Sequence, residues 1–201
     1  MIISLFGPDG VGKSTIANQF REIGWDVFSG TGVASWPDST WHDELLAKGI
    51  EETSFNDDNH FKEKIQRAHD LARHISETKN VVIDSDPFHK TLMHDYLRGK
   101  GLERFDELLK IAQLDPASNI HVYLKVADDL NHKQQAAILQ SRISARGELA
   151  PFDPETLEES ERMIEACNAI EDTLERRKYK VVTINTRNSI SNEQLSRLIS
   201  F

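Results

Sequence analysis

The sequence predicts an α/β fold, three layers deep around a five-stranded parallel sheet, and three observations point to it. Short apolar runs recur at residues 2–6, 25–28, 81–83, 121–126 and 180–184. Helical patterns separate these runs, and strands that alternate with helices pair in parallel because every return to the same edge needs a crossover. The first run also passes straight into a glycine-rich turn and from there into a helix.

In chain order, the run at 2–6 has the length of one strand. Ile16, Ala17, Phe20 and Ile23 then share a helical face, and Gly24 closes that helix. The stretch from about 29 to 60 is rich in Gly, Ser, Thr and Asp and only weakly periodic. It is long for a plain connection, so acceptor-binding structure is expected there. Ile65, Ala68, Ala72 and Ile75 mark a helix over 63–76, and Met163, Ile164, Cys167, Ile170 and Leu174 mark a later one. Asp153 suits the cap of that later helix and Pro154 its first turn, while Arg176, Arg177 and Lys178 suit its negative end. A last helix is expected over 191–199.

A chain of 201 residues reads as one domain, 1–201. Its formal charge of -9 disfavours a broad grip on nucleic acid, which needs clustered Lys and Arg, and leaves room only for a local basic cleft. The single cysteine, Cys167, sits among apolar neighbours at helical spacing and reads as core. No run approaches membrane length and none resembles a signal peptide, so a cytoplasmic protein is expected. The eight histidines show no metal-binding spacing; His89 and His94 stand near the expected acceptor edge as polar contacts.

The turn after the first strand reads Gly7-Pro8-Asp9-Gly10-Val11-Gly12-Lys13-Ser14-Thr15, which satisfies the G-x-x-x-x-G-K-S/T phosphate loop in the strand-to-helix context its mechanism requires. Glycines let backbone amides close around phosphate oxygens, and the helix N-terminus adds partial positive charge. Lys13 is expected to reach the β- and γ-phosphates of ATP, and the Ser14 hydroxyl to ligate Mg²⁺. After the third strand, Asp84 and Asp86 put carboxylates where open α/β sheets bind ligands. One of them is expected to face the phosphates, either orienting Mg²⁺ through water or accepting a proton from an attacking oxygen. Arg142 and Arg146, four apart, share a helix face from which they could close on a transferring phosphoryl group.

These motifs resemble those of bacterial-type thymidylate kinases, within the nucleoside monophosphate kinases. The loop is similar to their G-x-D-G-x-G-K-S/T-T sequence, and 142–149 followed by Phe152-Asp153-Pro154-Glu155 is similar to their lid, here about 140–154. Arg67-Ala68-His69 resembles a stretch whose arginine touches the acceptor base. The resemblance implies a P-loop kinase sandwich with a helical lid, transfer of phosphate from Mg·ATP to a nucleotide, and a homodimer. It implies contact of Asp9 with the acceptor sugar and of Arg67 with its base. The chain departs from the family where Asp-Arg-Tyr is replaced by Asp84-Ser85-Asp86, which lacks the acceptor arginine, and Pro151 stands where the lid has an arginine. Two further readings therefore stand beside the first: a kinase of a hydroxyl on a modified nucleoside, a base in DNA or a small metabolite, and a regulatory NTPase without an acceptor.

Overall fold

The computed structural model describes residues 1–30, 58–145, 154–187, 190–193 and 195. Most of the stretch expected to bind the acceptor, the lid residues 146–153 with Arg146, Pro151 and Asp153, and both Trp36 and Trp41 lie outside the described residues. The expected helix at 191–199 is described only in part.

Five strands form one sheet: β1 (Ile2–Phe6), β2 (Asp26–Ser29), β3 (Val81–Asp84), β4 (Asn119–Lys125) and β5 (Lys180–Asn185). Their spatial order is β2-β3-β1-β4-β5, and every neighbouring pair is parallel. The helices described are α1 (Lys13–Glu22), α2 (Asp58–Ser76), α3 (Pro87–Leu97), α4 (Phe105–Ala112), α5 (His132–Ala145) and α6 (Pro154–Arg176). None is long and apolar enough to cross a membrane.

All five residues of β1 are buried because the sheet is covered on both faces, which explains why its sequence is a continuous apolar run rather than an alternation. Ile3 and Leu5 pack with Ile16, Ala17 and Phe20 of α1 and with Ala136 and Leu139 of α5. Phe6 faces the other way, into a cluster with Phe88 and Leu92 of α3 and with Cys167, Ile170 and Leu174 of α6. At the β2 edge, Ala68 and Ala72 of α2 close over Ile2, Phe28 and Ile83. With β1 central, the loop that follows it emerges in the middle of the sheet's C-terminal edge.

Cys167 is 1% exposed, and burial above all pushes its thiol up to about 12. That thiol is a core side chain and not a nucleophile.

Candidate active site

The loop from Gly7 to Gly12 is shaped by close packing on both sides. Gly7 has φ 147°, and a Cβ there would lie 2.5 Å from the Leu124 carbonyl oxygen of β4. A Cβ on Gly10 would lie 2.8 Å from the Ile143 side chain and 3.0 Å from the Leu139 carbonyl of α5. Larger residues would push the loop off β4 or α5, so both positions need glycine. Gly12 caps α1 in a left-handed conformation, with no side-chain hydrogen bond to the first turn. The helix start thus directs backbone amides and the positive end of its dipole at the loop.

Lys13 is folded over this loop. Its Nζ donates to the Gly7 carbonyl at 2.8 Å and the Pro8 carbonyl at 3.0 Å, and stands 3.4 Å from Asp9 Oδ1. The lysine side chain is 12% exposed and the aspartate 61%, so the ammonium is held against the protein while the carboxylate projects outward.

Two cavities flank the loop. One is lined by Gly7, Asp9 and Lys13 with Ser85, Asp86 and Lys90, and has a volume of about 30 Å³. The other is lined by Gly10, Val11, Gly12 and Thr15 with Arg142 and Thr186, and has a volume of about 320 Å³. The structure thus brings Asp9, Lys13 and Asp86 together on one side, and Arg142 with the loop amides on the other. Arg142 Nη1 donates to Thr186 Oγ1 and Nη2 to the Thr186 carbonyl, both at 3.1 Å. Its guanidinium therefore ties α5 to the turn after β5, on the side away from Asp86. Ser14 is exposed on the first turn of α1.

Asp84 and Arg67 line neither cavity. Asp84 Oδ1 accepts from Ser85 Oγ at 3.2 Å, and its carbonyl accepts from Gly30 N–H at 2.7 Å, at the end of the β2–β3 ladder. Arg67 ion-pairs with Glu63 one turn earlier on α2, at 3.0 Å. Ser85 between the two carboxylates has φ 58°, a left-handed conformation that a residue with a Cβ pays to adopt. After that twist Asp86, and not Asp84, belongs to the wall of the cavity that Lys13 also lines, with its carboxylate turned into the core.

Asp86 is 1% exposed and caps α3: its Oδ1 accepts from Phe88 N–H at 2.8 Å, with Pro87 in the first turn. The same oxygen accepts from His69 Nε2 of α2 at 3.1 Å. His89 places Nδ1 3.7 Å from Asp86 Oδ2, and its Nε2 meets His121 Nδ1 of β4 at 3.0 Å. Burial alone would raise the Asp86 pKa, but His69, His89 and the Ser4 hydroxyl outweigh it and hold the carboxyl far below its ordinary value. Burial also drives His89 down to about 4, against the raising effect of Asp86, and depresses His121 well below the usual imidazole range. Both rings are therefore neutral at pH 7.

His69, His89 and His121 come from three different elements, so no local spacing announces them as a group. The available signal was His121 itself, a polar residue inside an otherwise apolar strand run. One consequence is measurable. Between the ordinary imidazole value of 6.5 and the folded value of about 4, the unfolded chain binds the proton that buried His89 refuses. Stability is then complete above about pH 6.5 and falls as pH drops toward 4, by on the order of 3 kcal/mol for His89. Urea unfolding at pH 7.5, 5.5 and 4.5 should show this fall, and a flat profile would contradict neutral burial of the pair.

No protein-family model matches the chain, and no curated protein sequence matches it either. Solved structures do. A deoxyadenosine kinase from M. mycoides with bound dATP is similar over 100% of both chains, with a TM-score of 0.55 and 19% identity. The YorR protein from Bacillus subtilis, in complex with phosphorylated GDP, is similar over 98% of this chain and 92% of its own, with a TM-score of 0.58 and 16% identity. The fold is the P-loop kinase fold. At this identity the likeness is one of architecture, and it does not single out thymidylate kinase. In this sheet order the loop after β1 lies between the flanking strands β3 and β4.

Proposed function

We propose that the chain is an ATP-dependent phosphotransferase that delivers the γ-phosphoryl group to a nucleotide, in the manner of (deoxy)thymidylate and other nucleoside monophosphate kinases. The observation that carries this reading is the pair of cavities meeting at the phosphate loop, with Lys13 and Asp9 on one and the amides of Gly10 to Gly12 on the other. A regulatory NTPase needs only a nucleotide cavity. A second cavity on the other side of the same loop, the one that Lys13 and Asp9 line, is what an acceptor requires.

In this account the loop amides and Lys13 hold the triphosphate, and Arg142, fixed by Thr186, walls the donor side. Asp9 projects toward the acceptor sugar, and Arg146 is the second lid cation. Lys90 lines the acceptor cavity and makes no ion pair with another described residue, so it is placed to meet an acceptor phosphate where the thymidylate kinases that the motifs resemble use arginine. Among the described residues no three His, Cys, Asp or Glu side chains gather to hold a metal by themselves. Ser14 offers an exposed hydroxyl beside Lys13, a donor set that fits Mg²⁺ carried in by the triphosphate, with Asp84 as the carboxylate at the sheet edge. When bound, that ion would neutralise charge on the phosphates.

A second reading keeps the donor side and makes the acceptor a hydroxyl. It is favoured by the lack of an arginine among the described residues that line the acceptor cavity, and by the similar deoxyadenosine kinase, whose name is that of a nucleoside kinase. One of the carboxylates after β3, Asp84 or Asp86, would then serve as base. Incubation with labelled ATP and a panel of nucleoside monophosphates, nucleosides and oligonucleotides tests both. A labelled diphosphate product is the expected result. A product phosphorylated only on a hydroxyl would favour the second reading, and ATP hydrolysis with no labelled acceptor would overturn both.

A further inference from the structure

Lys90, His94 and Arg98 recur at the spacing that puts side chains on one face of a helix, the first two within α3 and the third as the residue that ends it. The helical rise sets His94 about 6 Å and Arg98 about 12 Å along the axis from Lys90. Lys90 lines the cavity beside Asp9 and Lys13, so this face starts at the phosphate loop. Lys90 and His94 are half-buried, and Arg98 is exposed.

The face is positive and is not neutralised. Burial lowers the proton affinity of His94, and Lys90 and Arg98 lower it further, while Asp9 and Asp95 act the other way. Both acids are already engaged: Asp9 stands 3.4 Å from Lys13, and the buried Asp95 takes both prongs of Arg104 at 2.8 Å. From α2 the Phe61 ring meets His94 edge-on at 6.5 Å and brings no charge. In a chain of net charge -9 cations find acids readily, as Lys62, Lys79, Arg73 and Arg177 do. Lys90 and Arg98 make no ion pair with another described residue. The helix dipole favours Arg98 at the end of α3, but it opposes Lys90 in the opening turn and leaves the alignment of all three unexplained.

A line of uncompensated donors that opens on a phosphotransfer cavity fits a ligand whose negative charges are also strung along a line. We propose that this face of α3 holds a second phosphate group of the acceptor: Lys90 meets the phosphate nearest the loop, and His94 with Arg98 takes the next. A nucleotide with phosphates on both the 3′ and 5′ oxygens has this form, free or joined in a strand, because the sugar between them spans a distance comparable to one helical turn. The inference rests on the phosphotransferase reading above, and His94 and Arg98 set specificity without touching the reacting atoms.

Acceptors built on the same nucleoside test it for each common base: the 5′-monophosphate, the 3′,5′-bisphosphate, and a short single strand with that nucleotide at its 5′ end. With at least one base, wild type should favour a doubly phosphorylated form over the monophosphate by about 10-fold in kcat/KM, mainly through KM, as one charge-assisted contact provides. A preference shared by bisphosphate and strand supports the inference with a free nucleotide as the source of the second phosphate, and a preference for the strand alone supports it with a nucleic-acid backbone as the source. Arg98→Gln and His94→Gln should each shrink the ratio to a few-fold at most. The ratio compares acceptors on one variant, so a general loss of stability does not move it. Equal use of all forms with every base overturns the inference and leaves the kinase reading intact, as does a ratio that both variants keep in full. If no acceptor is phosphorylated, the kinase reading has failed, and nitrogen spectra of labelled histidine decide. A nucleoside 3′,5′-bisphosphate should then move the His94 titration to higher pH, because a bound anion offsets Lys90 and Arg98, and an unmoved titration overturns the inference. Those spectra, with the wild-type ratio, also decide the matter if neither variant folds.

Discussion

Replacing Lys13 with alanine is expected to lower phosphoryl transfer by at least about 10³-fold, in line with the loss of a fixed cation from a phosphoryl-transfer site. The fold should survive. Lys13 bonds only to the loop it follows, at Gly7 and Pro8, and contributes nothing to the apolar clusters on either face of the sheet. Steady-state kinetics beside urea unfolding separates the two effects. Loss of activity that tracks loss of stability would mean that the ammonium serves the loop's structure and not the reaction.

Asp86→Ala is expected to have the largest effect on stability, roughly 3–5 kcal/mol, because it breaks a buried charged cluster by removing its centre. The substitution would free the Phe88 N–H at the start of α3 and leave His69 Nε2–H buried without an acceptor. Asp86→Asn retains an oxygen for both donors and should cost clearly less. Urea midpoints for the pair of variants check the contrast. Equal and small losses would show that α3 and α2 are held by their apolar contacts alone, through residues such as Phe88, Leu92 and Ile65.

The sheet was legible in the sequence because each strand is short, apolar and flanked by turn or helix signals. The expected runs differ from the observed strands by at most two residues at either end, as at 121–126 against Asn119–Lys125. The phosphate loop was legible for the same local reason, since the glycines, the lysine and the helix start are contiguous. Asp86-Pro87 carried two messages at once: a cap followed by proline begins a helix, and a carboxylate after a central strand borders a ligand. The structure shows the cap directly, and puts Asp86 in the wall of the cavity with its carboxylate buried.

What was not legible is non-local. The spacing of Arg142 and Arg146 leads one to expect a shared helix face, but the position of the Arg142 guanidinium is set by Thr186, which follows β5. His69, His89 and His121 meet only because α2, α3 and β4 converge on one side of β1, and Ser85 turns Asp86 into their midst by a conformation that residue type does not favour. Pairings of this kind depend on the packing of the whole sheet.

Titration calorimetry of wild type with ATP, in the presence and absence of Mg²⁺, tests the central claim most directly. The account predicts saturable binding that Mg²⁺ strengthens and that Lys13→Ala weakens. Heat indistinguishable from dilution, for ATP and for every other nucleoside triphosphate with Mg²⁺ present, would contradict it.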